Sequence, residues 1–153
     1  NPSYFRIVSH EFQSEGIHDV GSLQGQQDIN DLMKEADLVI LDNLSTLVRS
    51  GNENEADSWV QIQEWMLQLR KLGKAVLLIH HAGKNGLQRG TSKREDILDT
   101  VIALKKPKNQ SSNDGARFEV HFEKSRGFCG EATDPFEAYL VTDSNGSSIW
   151  SYK

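Results

Sequence analysis

A single cysteine, Cys129, stands among the 153 residues. No internal disulfide can brace such a chain, and a reducing compartment, the cytoplasm, is the expectation. Proline occurs only three times, and no apolar run approaches the roughly 20 residues that a helix needs to cross a bilayer, so no membrane partner is expected. The first ten residues lack both the basic lead and the apolar centre of a secretory signal. Positive charge is not in excess either. With 17 Lys and Arg against 22 Asp and Glu, the chain cannot hold nucleic acid by a surface that is basic throughout, and any such contact needs a local cluster. What the chain does have is 37% hydrophobic residues at a length that suits one domain, residues 1–153, and buries about two thirds of the unfolded surface.

The apolar residues change period along the chain. Residues 4–9, Tyr-Phe-Arg-Ile-Val-Ser, form a short β-branched run that predicts a strand. Ile29, Leu32, Met33 and Ala36 recur at helical spacing, which predicts an amphipathic helix over 24–36. Leu38-Val39-Ile40-Leu41 is uninterrupted between Asp37 and Asp42, the pattern of a strand buried on both faces of a parallel sheet. Trp59, Ile62, Trp65, Met66, Leu69 and Leu72 then line one face of a long helix that Gly73 ends, and a second apolar strand follows at residues 75–79. Strand, helix, strand, helix, strand is the order of parallel crossovers. A short helical stretch at 95–98 and a strand at 100–105 come next. Beyond the polar residues 106–115, the segments 117–123, 136–141 and 148–152 alternate polar and apolar, so they read as antiparallel strands with one wet face that extend the parallel sheet.

Four groups of residues in this frame have chemical potential. Asp42 closes the first fully apolar strand, where a parallel sheet projects side chains into its ligand crevice. A carboxylate there suits Mg²⁺ held through water against a nucleotide's phosphates, although a strand also ends in aspartate simply to cap a turn. His80 and His81 end the next apolar strand, where a neutral imidazole can donate to a γ-phosphate or place a water; the plain alternative is one packed and one solvated histidine. Neighbouring histidines on a strand point to opposite faces, which argues against zinc. The segment 83–94 holds Lys84, Arg89, Lys93 and Arg94 with three glycines and no acid, a composition that tracks a phosphate backbone or is merely solvated. Lys124 and Arg126 sit at alternate positions before Gly127, placed to stabilise charge in phosphoryl transfer or to act as exposed surface cations.

Taken in order, Leu38-Val39-Ile40-Leu41-Asp42-Asn43, Leu77-Leu78-Ile79-His80-His81-Ala82-Gly83-Lys84, Arg89-Gly90-Thr91-Ser92 and Lys124-Ser125-Arg126-Gly127 resemble the RecA-like P-loop ATPases. The likeness is to the RepA-type and DnaB-type replicative helicases and related plasmid, phage and mobile-element ATPases, over about residues 37–130. It implies an α/β core with a mainly parallel sheet, helices on its flanks and an antiparallel C-terminal edge. It further implies that Asp42 is the Walker B residue, that Asn43 and His80 lie at the nucleotide, and that His81 is the sensor. By the same likeness Lys84, Arg89, Lys93 and Arg94 face DNA, single-stranded by expectation, and Lys124 and Arg126 form a finger reaching a neighbour's nucleotide in a ring, most often a hexamer. ATP and Mg²⁺ are the implied cofactors of the full-length parent.

Two departures temper this. No Gly-x-x-x-x-Gly-Lys-[Ser/Thr] loop occurs in the sequence, and Glu11 and Glu15 match the family's catalytic glutamate poorly. Both elements are expected upstream, so this chain alone is expected to be inactive, with no tightly bound nucleotide. Two rivals stand beside this reading: a degenerate ATPase fold serving as a non-enzymatic DNA-binding or assembly module, and a stand-alone DNA-binding protein that uses residues 83–94.

Overall fold

The computed structural model describes residues 4–49, 56–81, 95–111 and 114–153, with side chains described from residue 59 onward in the second stretch. Contacts group the chain into two compact units, Asn1–Ile97 and Leu98–Lys153, and each is taken by itself.

In the first unit, helix α1 (Leu23–Leu32) begins where Ser22, in extended backbone, accepts a hydrogen bond from the Gly25 N–H at 3.1 Å and so satisfies one of the helix's unpaired donors. Its far end is closed from elsewhere in the sequence. The Lys74 ammonium donates to the carbonyls of Met33, Lys34 and Ala36 at 3.0, 2.9 and 2.7 Å, a cation on the negative end of the helix dipole. The chain then enters strand β1 (Leu38–Asp42), a one-turn helix α2 (Leu44–Leu47), the long helix α3 (Ala56–Lys71) and strand β2 (Ala75–Ile79). Gly73, at φ +80°, ends α3: its N–H donates to Arg70 and the Lys74 N–H to Leu69, the paired bonds that a left-handed residue permits.

β1 and β2 run parallel and in register, from Leu38 opposite Ala75 to Asp42 opposite Ile79. Val39 and Leu41 of β1 pack with Trp59, Ile62, Trp65, Met66 and Leu69 of α3 and with Val20, Met33 and Leu44 to form the core, so the helical stripe read from the sequence is the buried one. Leu72 departs from it. α3 stops at Lys71, and Leu72 lies in the turn at 72% exposure. Two buried polar groups lock the core's edges: Trp65 Nε1 donates to Asn30 Oδ1 at 2.9 Å, and Gln26 Nε2 to the Val20 carbonyl at 3.0 Å.

Two expectations for this unit need correction. Residues 5–9 join no strand ladder; Tyr4, Phe5 and Ile7 are exposed, and a 3₁₀ turn at His10–Phe12 follows. An apolar run becomes a strand only when it finds both a ladder and a face to cover, and among the described residues it finds neither. The second correction concerns β1 and β2, expected to be buried on both faces. One face packs on α3, while Leu38, Ile40, Leu77 and Ile79 of the other are 53%, 48%, 48% and 37% exposed.

The second unit is a meander of β3 (Thr100–Lys105), β4 (Arg117–Ser125), β5 (Phe136–Thr142) and β6 (Ser148–Tyr152), each antiparallel to the next. Its alternation sorts the faces as the sequence predicts. Ile102, Leu104, Phe118, Val120, Phe122, Phe136, Leu140, Trp150 and Tyr152 share one face by register, with Phe118 on Trp150 and Phe136 on Tyr152 at ring separations of 5.4 and 6.2 Å. Arg117, Glu119, His121, Glu137 and Tyr139 occupy the other. Among the described residues the strands of this unit make one four-stranded antiparallel sheet, and β1 and β2 of the first unit a parallel pair. Among the described residues no helix is long and apolar enough to cross a membrane.

Candidate functional site

The parallel register decides where the chemistry of the first unit converges. Because Asp42 lies opposite Ile79, the strands end together, and Asn43 and His80-His81 leave the sheet at one rim. This is the carboxyl edge where parallel sheets hold ligands. Asp42 is exposed there, and its peptide bond to Asn43 is cis. His80 is half-buried and His81 exposed.

Asn43 ties the two strand ends together. Its Oδ1 accepts from the Thr46 N–H at 3.2 Å, which makes it the N-cap of α2, and the Thr46 hydroxyl, 2.9 Å from the Asn43 carbonyl and 3.2 Å from Oδ1, has one hydrogen to share between them. With the carbonyl end of the amide so engaged, its NH₂ end lies 3.1 Å from His81 Nε2. An amide nitrogen only donates, so Nε2 accepts.

The loop around residues 17–22 holds the other side of α2. The Val20 N–H donates to the Leu47 carbonyl at 2.9 Å, and Asp19 Oδ1 accepts from the N–H groups of Gly21 and Arg49 at 2.8 and 2.9 Å. The Arg49 guanidinium donates to the Ile17 carbonyl. The rim that carries Asp42 and Asn43 is therefore braced on both flanks.

In the second unit, Lys124 lies near the end of β4 and Arg126 just beyond it. A bulge intervenes: Val101 faces Lys124 while its neighbour Ile102 faces Phe122, so Glu123 is the extra residue. Lys124 consequently lies on the face of Val101, opposite Phe122, whereas simple alternation puts positions 122 and 124 together. The Arg126 N–H donates to the Asp99 carbonyl at 2.9 Å, and its guanidinium lies 3.9 Å from the Asp99 carboxylate, both groups more than half exposed, where screening leaves such a pair little energy.

The most tightly bonded charges in this unit sit elsewhere. Arg117 donates through Nε and Nη2 to the two carboxylate oxygens of Glu137, each at 2.9 Å, and through Nη1 to Asp114 at 2.8 Å. Lys153 Nζ adds a contact to Glu137 at 3.2 Å. The hydrogen bonds from Arg117 hold the Glu137 carboxyl below its ordinary range, and the Ser111 N–H does the same first for Asp114, with Ser111 Oγ and Arg117 adding to it. With Nη2 also donating to Asn109 Oδ1 at 3.1 Å, four of the five N–H donors of Arg117 are engaged by the protein itself, so this network braces β4 on β5.

The structure thus brings Asp42, Asn43, His80 and His81 to one rim, and places Lys124 and Arg126 at one strand end of the other unit. Lys84, Arg89, Lys93 and Arg94 lie outside the described residues. Among the described residues no group of three or more His, Cys, Asp or Glu is arranged to hold a metal, and an Asp42 metal ion would take most of its ligands from water and nucleotide. Sequence reasoning placed Asn43 beside nucleotide but missed its grip on His81. Its capping role was legible in an asparagine set directly before Leu44-Ser45-Thr46-Leu47.

Neither the curated proteins nor the solved structures contain a match to this chain. The segment 15–87, which holds the parallel strand pair, Asp42, Asn43 and both histidines of the rim, matches the family model of the AAA domain, a P-loop-type ATPase family.

Proposed function

We propose that this chain is the Walker B and sensor portion of a RecA-like ATPase that works on DNA, as a helicase or a replication or mobile-element motor. The observation that carries the reading is the shared rim: Asp42 and His81 end adjacent parallel strands within the segment that matches the AAA domain. Asp42 holds Mg²⁺ through water, Asn43 and His80 border the nucleotide, and His81 reads the γ-phosphate. The exposed apolar side chains of Leu38, Ile40, Leu77 and Ile79 support it as well, since a parallel strand pair apolar on both faces suits the middle of a wider, doubly covered sheet.

On this reading Lys84, Arg89, Lys93 and Arg94 contact single-stranded DNA, and Lys124 and Arg126 reach the neighbouring subunit's nucleotide in a ring, hexameric by the family's habit. The 153 residues contain no phosphate-binding loop, and a nucleotide's phosphates have no cradle without one. The chain alone therefore does not hydrolyse ATP. Calorimetry of the chain with MgATP tests this part, and tight binding would refute it. The ATPase assignment is tested in a longer protein that joins this segment to a P-loop. There Asp42→Asn abolishes Mg²⁺-dependent hydrolysis and His81→Ala lowers hydrolysis while nucleotide still binds. Full turnover by both variants sinks the assignment.

A further inference from the structure

We propose that Asn43 is a positioning residue that fixes the tautomer of His81, so that the imidazole turns a single defined donor, its Nδ1–H, toward any ligand at the rim. The chemistry follows from which end of the amide is committed. Asn43 Oδ1 is occupied by the Thr46 N–H, one of the donors that a helix start leaves without a partner inside the helix. Rotating the amide by half a turn would set its NH₂ group against that N–H, so the cap holds the orientation. The NH₂ group is thereby left facing His81 Nε2 at 3.1 Å. A ring nitrogen that accepts carries no proton, and the neutral imidazole must then carry its hydrogen on Nδ1. Asn43 thus selects the hydrogen position of the neutral ring.

The consequence for function rests on the ATPase reading above: a sensor that must recognise a γ-phosphate needs a donor of fixed direction, and a ring exchanging between two tautomers offers one only part of the time. It gives Asn43 a role through His81 beside its place at the nucleotide. The pairing links the loop after β1 to the loop after β2, so a ligand that moved either strand end would be felt at the other.

The test reads the ring directly and needs no nucleotide. Long-range ¹H–¹⁵N correlation spectra of the 153-residue chain are recorded in mildly alkaline solution, with His81 assigned by its disappearance in His81→Ala. The expected wild-type spectrum has a protonated, pyrrole-type Nδ1 and a pyridine-type Nε2. In Asn43→Asp the cap survives, because aspartate caps a helix as well as asparagine does, but the side chain now only accepts. The His81 pattern should invert to Nε2–H. Asn43→Ser, which also caps but is too short to reach the ring, should give an averaged pattern; it decides the matter if the aspartate variant does not fold. A wild-type ring already protonated on Nε2 or averaged, or a pattern unmoved by both substitutions, overturns the proposal. Failure here leaves the ATPase assignment to stand or fall on Asp42→Asn, and failure there leaves the tautomer result intact.

Discussion

Gly25→Ala sets two physical effects of known size against each other. Gly25 is the third residue of α1, buried, and in an interior helical position alanine is favoured over glycine by about 1 kcal/mol. Local propensity alone predicts stabilisation. The tertiary structure predicts the reverse, because a Cβ at this position would lie 2.1 Å from the Asp19 carbonyl oxygen and 2.6 Å from its carbonyl carbon. Contact at ordinary separation requires the Asp19 backbone to retreat by roughly 1 Å. It is poorly placed to do so. The Asp19 carbonyl accepts from the Ser22 N–H and hydroxyl, its carboxylate accepts from Gly21 and Arg49, and Val20 beside it is 1% exposed and bonded to Leu47. Loss of two of these bonds at about 1 kcal/mol each, together with overpacking of about 1–3 kcal/mol, outweighs the propensity gain and leaves a net loss of about 2–4 kcal/mol. For a unit of this size the midpoint falls by about 10 °C or more, at roughly 4–8 °C per kcal/mol. Thermal unfolding followed by the fluorescence of buried Trp59 and Trp65 reads it, with Gly127→Ala as the control because a Cβ there meets nothing. A Gly25→Ala midpoint equal to or above the wild type would refute the reasoning.

Lys74→Met removes three charge-assisted bonds from the C-terminal end of α1 while keeping the length of the side chain; a loss of about 1.5–3 kcal/mol is expected in urea unfolding, and Lys74→Arg should recover part of it. The second unit should weaken in acid. Glu137 and Asp114 have folded values depressed below their ordinary 4.5 and 3.8, so the stability they contribute is present above those values and is lost as pH falls through the lower folded ones. Glu137→Gln should lower the midpoint at neutral pH and flatten its decline below about pH 4, as read by the fluorescence of Trp150; an unchanged acid profile would contradict the network's role. Replacing Lys84, Arg89, Lys93 and Arg94 together by alanine should abolish single-stranded DNA binding at low salt, measured by fluorescence anisotropy, and unaltered binding would remove DNA from the proposal.

Much of this was written in the order of residues. The four-residue apolar run before Asp42 and the five-residue run before His80 are short and bounded by polar residues, as strands are, and the stripe from Trp59 to Leu69 has a helix's period, so the order strand, helix, strand was legible in the sequence. The alternation of residues 117–123 likewise announced a sheet with one polar face. Register was a different matter. That Asp42 stands opposite Ile79, and so brings Asn43 within reach of His81, depends on a ladder between segments nearly 40 residues apart. So does the closing of α1 by Lys74, a residue no local pattern connects with Met33. Residues 4–9 had a strand's composition but found no partner, and the bulge at Glu123 set Lys124 on the face that simple alternation denied it. Sequence by itself determined the elements and which side chains are apolar, since those depend on near neighbours and on solvent. Which elements pair, in what register and with which polar groups satisfied was decided only by tertiary structure, where distant donors and acceptors compete for the same few places.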